Sequence, residues 1–92
     1  MIEETEKNKE KIINCGSLGY SNSQIAILFE VDETGIDKLM NDKSSWFCQT
    51  YNKGKVIFDY VIDTKLMDLA RNGDIKALDK LERRKTIRKQ GE

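Results

Sequence analysis

Apolar positions recur three and four residues apart along most of this chain, which is the period of a helix with one buried side. Ile25, Leu28 and Phe29 form one such stripe, and Ile36, Leu39 and Met40 form a second. Only Glu30 and Val31 separate the two helices that these stripes predict. Ser21 can cap the first helix, and Gln24, three residues on, can complete a capping box with it. Tyr20 and Ile25 stand where a hydrophobic staple would form. Asp32 can cap the second helix, and Glu33 puts negative charge in its first turn, where the macrodipole favours it. Ala26 is small where two backbones approach, and Val31 can plug the gap between the helices. Two short amphipathic helices joined by so tight a turn fit an ordinary αα-hairpin. The small residue, the plug and the acidic cap favour a helix-turn-helix over Gly19–Met40.

The flanking sequence extends this pattern. Ile12, Ile13 and Cys15 predict a short helix over about Asn8–Cys15, stopped by Gly16, after a frayed polar segment from Met1 to Lys7. Beyond Met40, Asn41-Asp42-Lys43-Ser44-Ser45 reads as a loop with a cap at Ser44 or Ser45. Phe47, Tyr51, Gly54, Phe58, Val61, Lys65 and Leu69 then keep helical spacing from Trp46 to Arg71, with further apolar residues widening the stripe. Val56–Ile62 is also rich in strand-forming residues, but nothing else in the chain offers a partner strand. Gly54 costs about 1 kcal/mol inside a helix, so it marks a kink, a break or a close backbone approach. Asn72-Gly73 stops the long helix and Asp74 caps a last one, whose stripe is Ile75, Leu78 and Leu81. The expected fold is all-α: a three-helix helix-turn-helix unit at residues 8–42, then a long helix and a basic terminal helix at 44–90.

Composition narrows the function. The 92 residues fit one small domain, in which 35% of residues are charged. Residues 1–11 hold no apolar run, so no signal peptide is expected. The stretch Ile25–Phe29 is far too short to span a bilayer, so no membrane partner is expected either. Cys15 and Cys48 have no nearby cysteine and the chain has no histidine. This disfavours a zinc site and points to cytoplasmic thiols, although spacing alone leaves a disulfide open. The zero net charge conceals an asymmetry: residues 1–43 carry nine acidic and five basic side chains, residues 44–92 seven and eleven. That split suggests a nucleic-acid contact from the C-terminal side, or head-to-tail self-association.

Chemistry has little to work with. There is no histidine and no glycine-rich phosphate loop, so neither an enzyme nor a cofactor is expected. Asp59 and Asp63, spaced i, i+4, could hold a metal weakly, but a solvated face is the simpler reading. Trp46, Phe47 and Tyr51 could stack on bases, but at helical spacing they read as core. The candidate DNA contacts are Thr34 and Lys38, one turn apart and away from the Ile36 stripe, with Lys43, Lys53 and Lys55 flanking the motif. Gly35 would let the backbone approach closely. The run Lys80–Lys89, six basic residues against one acid, is either a DNA patch or a solvated helix end.

These residues together resemble the small subunit of phage terminases. The resemblance rests on Gly19–Ala26 followed by Val31-Asp32, on Trp46-Phe47 and Gly54-Lys55, and on Leu66–Asp74 leading into Ala77-Leu78, over about residues 10–82. It implies recognition of double-stranded DNA for packaging, assembly into a homo-oligomeric ring, delivery of DNA to a large terminase subunit, and no chemistry by the small subunit itself. The second helix departs from this pattern, because Asp32, Glu33, Asp37 and Asp42 outnumber Lys38 and Lys43. That acidity supports the alternative, a protein-interaction adaptor or transcriptional regulator with a helix-turn-helix fold.

Overall fold

The computed structural model describes residues 2–90, which form five helices and, among the described residues, no strand. The chain is all-α, as its periodicity predicts. Helix α1 spans Glu6–Leu18, α2 Asn22–Phe29, α3 Glu33–Asn41, α4 Trp46–Arg71 and α5 Ile75–Gln90. The described residues divide into two compact units, one up to Phe58 and one from Asp59. This division falls inside α4, whose first half packs onto α1.

In the first unit, α1 begins earlier than its apolar pattern suggests. Thr5 Oγ1 accepts from the Asn8 N–H at 3.1 Å, and the Asn8 side chain donates to the Glu3 carbonyl at 2.9 Å, so the polar segment from Glu3 onward is tied down. Met1 lies outside the described residues. Gly16 does not stop the helix. Gly19 does, three residues later, in the left-handed conformation at φ 71°, with its N–H donating to the Cys15 and Gly16 carbonyls.

Gly16 instead lets α1 and α4 touch backbone to backbone. A Cβ on Gly16 would lie 2.0 Å from the Tyr51 carbonyl oxygen, and one on Gly54 would lie 2.1 Å from that of Ile13. Gly54 is therefore a close approach inside an unbroken helix. Ser17 Oγ donates to the Gly54 carbonyl at 2.9 Å and the Tyr51 hydroxyl to the Tyr20 carbonyl at 2.8 Å, which pins the crossing on both sides.

Helix α2 starts on the expected box: Ser21 Oγ accepts from the Gln24 N–H, and Gln24 Oε1 accepts from the Ser21 N–H at 2.8 Å. It ends on Glu30 in the left-handed region, φ 55°, whose N–H donates to the Ala26 and Ile27 carbonyls. A side chain at that φ costs about 1 kcal/mol. Asp32 takes the N-cap position of α3 but its carboxylate makes no capping bond, so the expected cap is one of position only.

The core holds Ile12, Cys15, Ile25, Ala26, Ile36 and Phe47, with Phe29, Val31, Leu39, Met40, Trp46 and Tyr51 packed against it. Leu28 is not part of it. It stays 43% exposed, because α2 is only eight residues long and turns Ile25, Ala26 and Phe29 inward. Trp46, Phe47 and Phe29 meet edge to face, with Phe47 in the centre. The aromatic cluster is thus core. Cys15 and Cys48 are buried free thiols.

In the second unit, Gly73 ends α4 at φ 94° and Asp74 caps α5 by accepting from the Ala77 N–H at 3.1 Å, both as expected. No helix among the described residues is long and apolar enough to cross a membrane.

The two kinds of helical glycine should respond oppositely to a methyl group. Gly16→Ala forces backbone against backbone and should lower stability by about 1–3 kcal/mol or more. Gly35→Ala, where a Cβ meets nothing within 4 Å, should raise it by about 1 kcal/mol. Urea unfolding of the two variants checks both signs.

Candidate nucleic-acid interface

The candidate contacts sit on α3, and its position follows from how its ends are held. At the start, the Val31 N–H donates to the Ala26 carbonyl at 3.0 Å, which fixes the turn from α2. At the end, Ser45 Oγ donates to the Leu39 carbonyl at 2.7 Å and accepts from the Cys48 N–H at 3.1 Å. Ser45, rather than Ser44, therefore caps α4. Ser44 serves the loop, donating through its hydroxyl (2.6 Å) and N–H (3.0 Å) to Asp42 Oδ1. The hydroxyl bond, then the N–H bond, hold the Asp42 carboxyl below its ordinary value.

Helix α3 turns Ile36 into the core, with Leu39 and Met40 beside it. Thr34 and Lys38 are both exposed, as their spacing suggests, and Asn41 continues their row at i+7. The sequence places Asn41 in the loop after Met40, but α3 continues through it. Its signal was the spacing, and asparagine is a side chain suited to reading adenine edges.

Asp37 accepts from Asn22 Nδ2 of α2 at 2.8 Å, and both residues are half-buried. That neutral amide orients the carboxylate toward α2 and leaves its negative charge in place. Glu33 and Asp32 remain exposed. Gly35 lines a dimple of about 170 Å³ with Ile2, Val31, Asp32, Ile36 and Leu39.

The other expected contacts are more scattered. Lys43 is exposed in the α3–α4 connection. Lys53 lines an open groove between α1 and α4, with Trp46 and the N-terminal glutamates, and no residue of α3 reaches that groove. Lys55 is exposed next to Gly54. The structure thus brings Thr34, Lys38 and Asn41 into one row and keeps Lys53 apart from it.

No family model, curated protein or solved structure matches this chain.

Two other groups of polar residues have a defined geometry. Burial pushes the Cys15 thiol and the Tyr51 hydroxyl up, so both stay protonated at neutral pH. In the second unit, Asp59 and Asp63 accept from arginines of α5. Arg84 Nε donates to Asp63 Oδ1 at 2.6 Å and its Nη2 to Asp59 Oδ1 at 3.2 Å, while Arg88 Nη2 donates to Asp63 Oδ2 at 2.9 Å. Burial alone would push the Asp63 carboxyl up, but the hydrogen bonds and charges of Arg84 and Arg88 outweigh it and hold the group below its ordinary value.

A lowered carboxyl stabilises the folded state above its unfolded value and loses that contribution as pH falls. The hairpin of α4 and α5 should therefore weaken below about pH 4. Asp63→Asn should lower stability at neutral pH by about 1 kcal/mol or less and flatten the acid limb. Circular dichroism melts across that range compare the two proteins.

Proposed function

We propose that this chain is a DNA-binding helix-turn-helix protein of the phage terminase small-subunit kind, which binds double-stranded DNA for packaging and performs no chemistry itself. The observation that carries the reading is the row Thr34, Lys38 and Asn41, exposed along a short helix held at both ends, with Asp37 drawn away toward Asn22. Helix α2 and its left-handed Glu30 turn would brace this helix as the supporting half of the motif. Thr34 and Asn41 would meet base edges or phosphates, and Lys38 a phosphate, with Lys43, Lys53 and Lys55 adding backbone contacts. With Glu33 and Asp32 still exposed, binding is weak and mostly independent of sequence.

The four lysine–phosphate contacts of the first unit contribute roughly −3.6 to the log–log salt slope, from about −0.9 per contact. Lys38→Ala should weaken all duplexes alike and make that slope shallower by about one unit. Fluorescence anisotropy of a labelled random duplex against salt measures both. No binding at roughly 50 mM salt, where phosphate contacts are strong, would remove the DNA reading and leave the adaptor.

The second part of the reading is self-association. Helix α4 exposes Val56, Ile57, Phe58, Tyr60 and Val61 over about half of its circumference, with the charged Lys55, Asp59 and Asp63 on the remainder, and α5 exposes Ile75, Leu78 and Ile87. An exposed apolar face this broad marks an interface. Tyr60 at 69% and Val61 at 54% exposure are the natural positions to test. Sedimentation at micromolar concentration should show an oligomer that Tyr60→Glu with Val61→Glu dissolves into a folded monomer. A monomer from the outset would remove the ring from the proposal. The large terminase subunit would be a further partner for such a ring.

A further inference from the structure

The basic run at the end of the chain is not one patch. The geometry of α5 sorts its cations into separate sets. Arg84 and Arg88 turn toward the α4 segment of their own unit, where Asp59 and Asp63 take up their donors. Arg84 keeps only 29% of its side chain exposed. Ala77 is buried and Leu81 half-buried, so they and Arg84 mark the inner side of the helix. Lys85 and Lys89 lie one turn apart on one flank, with Lys85 3.5 Å from Glu82.

Lys76, Lys80 and Arg83 lie on the other flank, spaced i, i+4, i+7, and all three are exposed. Among the described residues Lys76 and Lys80 take part in no ion pair. Arg83 meets Asp79 at 3.0 Å, but both side chains are more than half exposed, so that pair holds the guanidinium only weakly. At about 1.5 Å per residue the three side chains span roughly 10 Å along the helix axis. Phosphates on one DNA strand follow each other at about 3.4 Å along the duplex, so the row can address about three of them.

We propose that Lys76, Lys80 and Arg83 form a second phosphate-binding row for duplex DNA, one that grips the backbone without reading sequence, while Arg84 and Arg88 are reserved for closing the hairpin. This rests on the reading of the chain as a DNA-binding protein, to which it adds a contact surface outside the first unit. Its role is to hold the duplex backbone.

The test compares two double variants of the full chain that remove the same charge from the same helix. Anisotropy with a labelled random duplex is read across a salt series. Lys76→Ala with Lys80→Ala should make the log–log slope shallower by about 1.8, from about 0.9 per lost contact. Lys85→Ala with Lys89→Ala should leave the slope as in the parent. All four alanines favour helix, so circular dichroism should show unchanged helicity.

Equal slopes for the two variants and the parent, with Lys38→Ala still shallower, would overturn this inference and leave the proposed function standing. A slope reduced by the Lys76 and Lys80 changes but not by Lys38→Ala would support the inference and remove the phosphate contact assigned to Lys38. Equal reductions by both doubles would overturn the division of α5 into distinct sets. No binding by the parent overturns the inference together with the DNA reading.

Discussion

The first unit depends on one backbone contact. At the crossing of α1 and α4, Gly16 and Gly54 each present bare backbone to a carbonyl oxygen of the other helix. The approach is closer than any side chain permits, and it sets the distance at which the rest of the core must fit. Phe47 and Tyr51 reach the core because their helix lies this close to α1. The Tyr51 hydroxyl reaches the Tyr20 carbonyl, one residue before the α2 cap, for the same reason. Helices α2 and α3 are then laid over a pair whose spacing is already set. A small core can be specified by few apolar residues when two helices are held this tightly.

Much of this was legible in the sequence because it is local. The Ser21–Gln24 box, the Gly73–Asp74 boundary and the unbroken helix from Trp46 depend on residues a few positions apart. Gly16 misled because a glycine in a helical pattern has two meanings, a stop or a contact. Only the position of Tyr51, far along the chain, decides between them. Asp32 misled because a capping residue can take its backbone position without making its bond. Leu28 misled because a two-turn helix buries a narrower face than its apolar residues would fill. The Asp37–Asn22 and Asp63–Arg84 pairs join residues that no periodicity relates, so neither partnership is legible in the sequence.

That last point changes the meaning of the charge asymmetry. The acidity of α3 counts against DNA, and the basic tail reads as either a DNA patch or a solvated helix end. The folded chain bears on the second: Arg84 and Arg88 are paired with Asp59 and Asp63, whereas Ser44 and Asn22 are neutral partners that leave Asp42 and Asp37 charged. What remains for a ligand is a thinner set of charges than the count suggests, arranged along the exposed rows of α3 and α5. Net charge describes the approach of a partner at long range; contact depends on the donors that folding leaves unspent.

The hydroxyl of Ser45 has a mechanical meaning as well. One oxygen donates to the last turn of α3 and accepts from the first turn of α4. Tilting α3 away from α4 would break both bonds together, so the hydroxyl couples the two helix ends into an elbow. A load applied to α3 would pass into the long helix through that joint instead of being absorbed in the loop. The amide of Cys48, lying beneath it, would exchange its hydrogen with water only as often as the elbow opens.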